Sequence, residues 1–361
     1  MDETAADEHD IDLSGSAGST EPTTPRVGVL INRFGHLRAG WRMLAYVIVV
    51  LVLGMILPAV VKLLVPGADN APMMSWPHIV MMATVNLLLI LAGLIVLKKI
   101  DQRPTGMLGL GFQPRWLIEL IVGLGAGVVS TGGLTLLLVL TGAVSLSLSP
   151  SLADAAAVFP IYLALFTVAA TAEELLFRGY LLQALAEGSR RWLAAIVLSL
   201  PFTIAHFGNP DVSVIGVANI FLVGIVIAVL YFQTRRLWLP IGFHISWNMA
   251  HGWLWGFDVS GIALENQMLV STPVGPEILT GGGFGLAGSI VTTVLVCFAL
   301  FWLLMKPVLT PSAVVAELWN PYPGGFGIAP VPESRPHADE PVEPVRDAVV
   351  EAESGEVVED Q

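Results

Sequence analysis

The sequence of 361 residues predicts an all-α membrane protein, a polytopic bundle of about eight transmembrane helices. Hydrophobic residues make up 55% of the chain and charged residues only 13%, with a mean hydropathy of +0.75, which is far more apolar than a soluble globular domain. The apolar residues are grouped in segments close to the roughly 20 residues that a helix needs to cross a bilayer. Basic residues fall in alternate loops between these segments, as repeated membrane crossing requires.

The predicted helices follow one another between residues 42 and 305. The first comes after a polar leader and lacks the small-residue cleavage pattern of a signal peptide, so we expect it to be retained. The eight segments are 42–64, 77–97, 117–140, 157–185, 192–208, 212–233, 238–256 and 284–305.

Two acidic tails are predicted to flank one membrane domain, residues 41–306. Residues 1–40 form an acidic leader with a basic end next to the first helix, and residues 307–361 form an acidic, Pro-rich tail. Few aromatic and many acidic residues are typical of disordered segments. We expect both tails to act as solubilising segments rather than to recruit a basic partner.

The positions of lysine and arginine predict the orientation in the membrane. The positive-inside rule places basic loops in the cytoplasm, which puts both termini there. The opposite loops carry acidic residues, and the only base near them is Lys62 at the end of the first helix. The basic residues on the predicted cytoplasmic side are Arg33, Arg38, Arg42, Lys98, Lys99, Arg103, Arg115, Arg190, Arg191, Arg235, Arg236 and Lys306.

Several functions are disfavoured by what the sequence lacks. One cysteine, Cys297, excludes an intrachain disulfide and a cysteine-only metal cage. The sequence has no Gly-rich phosphate loop, no Walker or Rossmann spacing and no basic aromatic surface. We therefore expect neither nucleotide nor nucleic-acid binding.

Two adjacent glutamates and an arginine interrupt the fourth apolar segment, in the stretch TAEELLFRGY. An ionised group at mid-helix costs about 2.5–3.5 kcal/mol on insertion scales, so these side chains should face the protein interior. Glu174 and Arg178 are four residues apart and share a helix face, whereas Glu173 points elsewhere. We expect Glu174 to pair with Arg178 and Glu173 to serve another task. The alternative is an ion cluster that only fixes helix packing.

Histidines and an asparagine lie at membrane depth in two other predicted helices. His206 is near the end of one helix in PFTIAHFG, and His244 and Asn248 share a face of another in GFHISWNMAHG. At about 1.5 Å of rise per residue, these groups and Glu173 have depths compatible with one shared site. His251 falls a further turn outward, where we expect an interfacial histidine.

A carboxylate, histidines and an amide in a sequestered pocket are the parts needed for amide hydrolysis. We expect Glu173 to act as the general base, His206 to share the water, and His244 and Asn248 to donate to the oxyanion. No serine has the G-x-S-x-G setting of a nucleophile, and the one cysteine is far along the chain. Water is therefore the expected attacking group.

The same side chains also allow a metal-dependent version of this chemistry. One carboxylate and two histidines with an open position suit a catalytic zinc, with Glu173, His206 and His244 as ligands and water as the fourth. The sequence lacks H-E-x-x-H, the most specific zinc-protease signature. A divalent metal such as zinc stays open as an alternative.

The residues just described form three motifs whose order and separation resemble the CPBP family of intramembrane proteases. This is the CAAX-protease and bacteriocin-processing group, also called Abi. The resemblance covers about residues 100–256 well. The motifs are EELLFR (EExxxR) from Glu173 to Arg178, FTIAH (FxxxH) from Phe202 to His206, and HISWN (HxxxN) from His244 to Asn248.

The resemblance implies an all-helical membrane endopeptidase with a cavity open to the cytoplasm. In the family's glutamate mechanism, the first glutamate and the FxxxH histidine activate water, and the last histidine and asparagine form the oxyanion hole. Family members have also been labelled metalloproteases. The remaining motif residues, Glu174, Arg178 and Phe202, are expected to support the site. The expected partners are membrane lipid and a membrane-associated peptide or protein substrate.

Two other classes of function stay open from the sequence. A non-catalytic membrane scaffold or a bacteriocin self-immunity protein would keep the ion cluster only for packing. A transporter would use the cluster as a transit site, but the internal repeats or paired broken helices typical of transporters are not evident.

Overall fold

The computed structural model describes residues 39–64, 75–99, 108–112, 114–188 and 190–312. The predicted leader, residues 1–40, and the predicted tail, residues 307–361, lie almost wholly outside these ranges and stay predictions.

The described chain is a bundle of ten α-helices with short π and 3-10 segments and one small hairpin. A π segment, Leu175–Leu181, joins α4 to α5, a second, Ala250–Leu254, continues α8, and a 3-10 segment, Gly282–Gly288, precedes α10. The helices are α1 (Ala39–Leu64), α2 (Trp76–Lys99), α3 (Trp116–Leu140), α4 (Leu152–Glu174), α5 (Leu182–Gly188), α6 (Arg191–Ile204), α7 (Val214–Thr234), α8 (Trp238–Met249), α9 (Glu277–Thr280) and α10 (Ile290–Met305).

The helical membrane-bundle class is confirmed. Six helices of the described chain are long and apolar enough to cross a bilayer, and each matches a predicted segment. The other two predicted segments hold shorter helices, since α6 has 14 residues and α8 has 12. The count of eight crossings therefore stays a prediction.

The connections between the helices alternate between two ends of the bundle. At one end, the backbone N–H of Leu237 donates to the carbonyl of Gly109 at 2.9 Å, and Arg236 forms a buried ion pair with Glu119. These contacts join the connection between α7 and α8 to the segment before α3. We call this the basic end, because its described residues include Lys98, Lys99, Arg115, Arg190, Arg191, Arg235, Arg236 and Lys306.

A two-stranded hairpin closes the opposite end. Strands β1 (Val144–Leu148) and β2 (Leu269–Pro273) pair antiparallel, and join the α3–α4 connection to the long connection before α10. We call this the acidic end. Lys62, in the last turn of α1, is the one lysine or arginine there among the described residues. The acidic residues at this end are Asp154, Asp211, Asp258, Glu265 and Glu277.

The hairpin was not part of the sequence prediction, although a local signal exists. Residues Val144–Leu148 read VSLSL, and this alternation of apolar and polar side chains is typical of a strand. Five residues between two long apolar helices are easily assigned to a loop, because the partner strand lies more than 120 residues later.

Helices α3 and α8 are packed with their backbones in near contact through glycines. A Cβ atom added at Gly123 would lie 2.3 Å from the Leu239 carbonyl oxygen, and one added at Gly242 would lie 2.3 Å from the Leu120 carbonyl oxygen. Small residues permit this close approach between membrane helices. The close packing fixes the position of α8 in the bundle.

Replacing Gly127 by Ala is expected to destabilise the protein, because the new methyl group would lie 2.1 Å from the Ser246 hydroxyl oxygen and 2.7 Å from the Trp247 nitrogen. Overpacking of this kind costs about 1–3 kcal/mol. Thermal unfolding in detergent measures the loss. Gly125→Ala is the matched control, because a Cβ at Gly125 has no neighbour within 4 Å. Equal stability of the two variants would contradict the proposed close contact.

Candidate functional site

The paired glutamates lie where helix α4 gives way to the first π segment. Glu174 is the last residue of α4 and is fully buried, and Arg178 is 3% exposed within the π segment. Arg178 Nη1 donates to Glu174 Oε1 at 3.2 Å, and Nη2 donates to the Gly224 carbonyl at 3.3 Å. The structure therefore pairs Glu174 with Arg178 and attaches α4 to α7 through the same guanidinium.

His244 is held by the second glutamate of the pair. Its Nδ1 hydrogen-bonds to Glu174 Oε1 at 2.8 Å, and the His244 residue is 8% exposed. Its other ring nitrogen, Nε2, lies 3.8 Å from Glu173 Oε2. The imidazole thus stands between two carboxylates, one buried behind it and one in front of it.

Glu173 points away from the Glu174–Arg178 pair, as the helix geometry predicts. Its side chain is 34% exposed, in contrast to the fully buried Glu174. Oxygen Oε2 of Glu173 is buried and has no hydrogen-bond partner among the described residues. A buried carboxylate oxygen without a partner is suited to receive a water molecule.

His206 lies in a turn beyond the end of α6. The sequence predicted a helix over 192–208, but α6 ends at Ile204 and residues 205–208 form a turn. The stretch GNP at 208–210 explains the earlier end, because the residue before a proline disfavours helical dihedrals. His206 Nδ1 contacts the Phe202 carbonyl oxygen at 2.9 Å. A carbonyl only accepts, so Nδ1 carries the proton and Nε2 is the acceptor.

Phe202 lies between the charged pair and the histidine of its own motif. The Arg178 guanidinium carbon is 4.2 Å from the centre of the Phe202 ring, a cation–π distance. The ring centres of Phe202 and His206 are 5.1 Å apart, and Phe177 packs edge-on at 5.4 Å. Phe202 therefore fixes the relative position of the first two motifs.

One cavity brings the four predicted catalytic side chains together. Its volume is about 330 Å³, and Glu173, His206, His244 and Asn248 all line it. Glu174 and Arg178 are not among its lining residues, so they lie behind the site. Most of the remaining wall is apolar or aromatic, and includes Leu165, Phe166, Phe177, Val223, Ile227, Phe243 and Trp247.

Two asparagines of this region were missed in the sequence. Asn209 lines the cavity, and its side chain donates to the Ser260 carbonyl at 2.9 Å. Asn219 is buried in α7, donates to the Ala287 and Ser289 carbonyls at 2.8 Å, and accepts from Thr293. An amide inside the apolar α7 was a signal available in the sequence, because polar groups at this depth need partners.

His251 is buried in the structure, which corrects the prediction of an interfacial histidine. The residue is 0% exposed, and its Nε2 accepts from the Leu286 backbone N–H at 2.9 Å. The 3-10 segment Gly282–Gly288 covers it, and this segment lies more than 30 residues away in sequence. Helix position alone could not predict that cover. His251 is not among the residues that line the cavity.

The zinc alternative requires three donors close to one another. Within the described ranges, no group of three His, Cys, Asp or Glu side chains is arranged to hold a metal ion. His206 Nδ1 and His244 Nδ1 are both occupied by hydrogen bonds, which leaves one nitrogen on each ring. The arrangement does not fit a three-ligand metal site, and we derive no step through a metal.

The comparisons with known proteins identify the family. Residues 155–250 match the family model described as type II CAAX prenyl endopeptidase Rce1-like. This range contains all three motifs and all four cavity residues predicted to be catalytic. A search of curated proteins and a search of solved structures gave no match. The family predicted from the motifs is thus confirmed, and the chain belongs, through residues 155–250, to the CAAX-protease (CPBP) family.

Proposed function

We propose that this protein is an intramembrane endopeptidase that hydrolyses a peptide bond of a membrane-associated substrate, with water activated by Glu173 and His206. One observation carries the proposal. Four side chains from separate segments of the chain line a single cavity whose wall is otherwise largely apolar. Polar groups converging in an apolar pocket are the usual arrangement of an active site.

Glu173 and His206 supply two acceptors for one water molecule. Glu173 Oε2 has no partner among the described residues, and the Phe202 carbonyl leaves His206 Nε2 as an acceptor. A water that donates one hydrogen to each directs an oxygen lone pair at the substrate carbonyl carbon. Glu173 takes the proton as the C–O bond forms, and returns it to the amide nitrogen as the C–N bond breaks.

His244 and Asn248 are the proposed donors to the oxyanion. They are four residues apart and line the same cavity. Donation from His244 Nε2 requires the doubly protonated ring, because Nδ1–H already donates to Glu174. The buried Glu174 carboxylate supplies the matching negative charge. Fixed donors aimed at a developing oxyanion contribute on the order of 10²–10³ in kcat.

The orientation that we propose follows from the charges at the two ends of the bundle. The basic end carries eight described lysines and arginines, whereas the acidic end has one. The positive-inside rule then puts the basic end, together with both termini, in the cytoplasm.

Replacing His206 by Ala is expected to lower kcat for peptide cleavage by about 10²–10⁴-fold, because one of the two water acceptors is lost. The measurement uses purified protein in detergent and a fluorogenic membrane-anchored peptide library. His78→Ala is the matched control, since His78 lies in α2 and does not line the cavity. Circular dichroism verifies that both variants are folded.

The same assay separates the proposed mechanism from its alternatives. Turnover that persists with a chelator supports the glutamate mechanism, and turnover lost with a chelator and restored by zinc supports the metal version. Equal turnover of wild type and His206→Ala would exclude His206 from the site. Wild-type protein that cleaves no peptide of the library, while a biological effect of the chain survives His206→Ala, would favour the scaffold or immunity function.

A further inference from the structure

Helix α6 is too short to cross a bilayer, and this leaves space at one end of the bundle. It starts at Arg191, next to the basic end, and its 14 residues rise about 21 Å, against a hydrocarbon core of about 30 Å. The chain then turns at 205–208 and reaches α7 only at Val214. The space beyond the last turn of α6 therefore lies on the acidic side of the bundle.

The cavity occupies this space. Its lining includes Asn209 from the α6–α7 connection and Val259, Ser260 and Ile262 from the connection that follows α8. Both connections belong to the acidic end. None of its lining residues comes from the segments at the basic end, 98–116, 182–200 and 230–239.

The rim formed by these connections is partly exposed and well fixed. Asn209, Ser260 and Ile262 are half-buried, so the cavity reaches the surface beside them. Asn209 donates to the Ser260 carbonyl at 2.9 Å, and Val259 and Ile262 form a β-bridge. Farther along, the Tyr162 hydroxyl donates to the Glu265 carbonyl at 3.0 Å. These bonds hold the connection at the side of the opening rather than across it.

We infer that the segment to be cleaved enters the cavity from the acidic end and therefore belongs to a peptide or protein outside the cytoplasm. This inference rests on the proposed hydrolysis for what happens in the cavity, and on the charge distribution for the side. It differs from the cytoplasmic opening that the family resemblance implies. The substrate class is a membrane-anchored polypeptide whose scissile bond lies at the extracytoplasmic face.

Cysteine labelling in intact cells tests the inference without requiring turnover. Cys297 is the only cysteine of the chain, so Cys297→Ser gives a background without thiols. Ser260→Cys then places a thiol at the rim, and Lys306→Cys places one in the exposed connection after α10 at the basic end. A membrane-impermeant maleimide is expected to label Ser260→Cys in intact cells. Lys306→Cys is expected to be labelled only after permeabilisation.

The opposite labelling pattern would overturn the inference, as would labelling of both positions or of neither in intact cells. A second measurement uses co-expressed peptides that are anchored by one helix and carry the cleavable segment on either side. Cleavage confined to the extracytoplasmic version supports the inference, and cleavage confined to the cytoplasmic version contradicts it. Failure of the proposed function is distinguishable, because an inactive protein would still give the expected labelling.

Discussion

Replacing Glu173 by Gln is expected to lower kcat for peptide cleavage by about 10²–10⁴-fold while the protein stays folded. Gln keeps the size of the side chain but removes the base that takes the proton from water. Glu173 is partly exposed to the cavity and forms no hydrogen bond through Oε2, so its neutralisation leaves no buried cation unpaired. Steady-state cleavage of the membrane-anchored peptide and thermal unfolding in detergent measure the two effects.

Glu277→Gln is the control for this experiment, because Glu277 is an exposed carboxylate in α9 that does not line the cavity. It should leave both turnover and stability unchanged. A Glu173→Gln protein with wild-type turnover would remove Glu173 from the mechanism. A Glu173→Gln protein that unfolds would instead assign this carboxylate to packing.

Replacing the neighbouring Glu174 by Gln is expected to have the opposite profile, with a loss of about 3–5 kcal/mol in the free energy of unfolding. Glu174 is fully buried and bonds to Arg178 at 3.2 Å and to His244 at 2.8 Å. Its neutralisation leaves the Arg178 charge buried without a counter-charge. Turnover also falls, because the His244 ring loses the carboxylate that orients it. Denaturant unfolding in detergent micelles measures the loss of stability.

A double variant separates the charge effect from a simple loss of packing. Glu174→Gln with Arg178→Met removes both charges and keeps similar volumes. If the unpaired guanidinium causes the loss, the double variant should be more stable than Glu174→Gln alone. A double variant that is less stable by the sum of both single effects would show that the pair contributes no coupling.

The positions of the motifs within helices could be predicted because they depend on local geometry. Spacing of four residues put Glu174 beside Arg178 and kept Glu173 apart from that pair, and the same spacing put His244 and Asn248 on one face. Each rule acts within one or two helical turns. Hydrophobic length likewise located the helices, because the thickness of a bilayer sets it.

Features that depend on distant parts of the chain were not predictable in this way. The π segments after Glu174 and Asn248 have no local sequence signal, because a wider turn is kept only by packing against other helices. His251 is buried by residues that lie more than 30 positions later, and β1 finds its partner more than 120 positions later. Neither contact is visible to a window that follows one helix at a time.

The close packing of α3 against α8 has a consequence for how the enzyme moves. Gly123 and Gly242 bring the two backbones together without side chains between them, so neither helix can slide or tilt alone. His244 and Asn248 belong to this rigid pair, whereas Glu173 stands next to a π segment and His206 stands on a turn. The breathing that admits a polypeptide should therefore occur around α4 and α6, with the oxyanion donors acting as the stationary half of the catalytic apparatus.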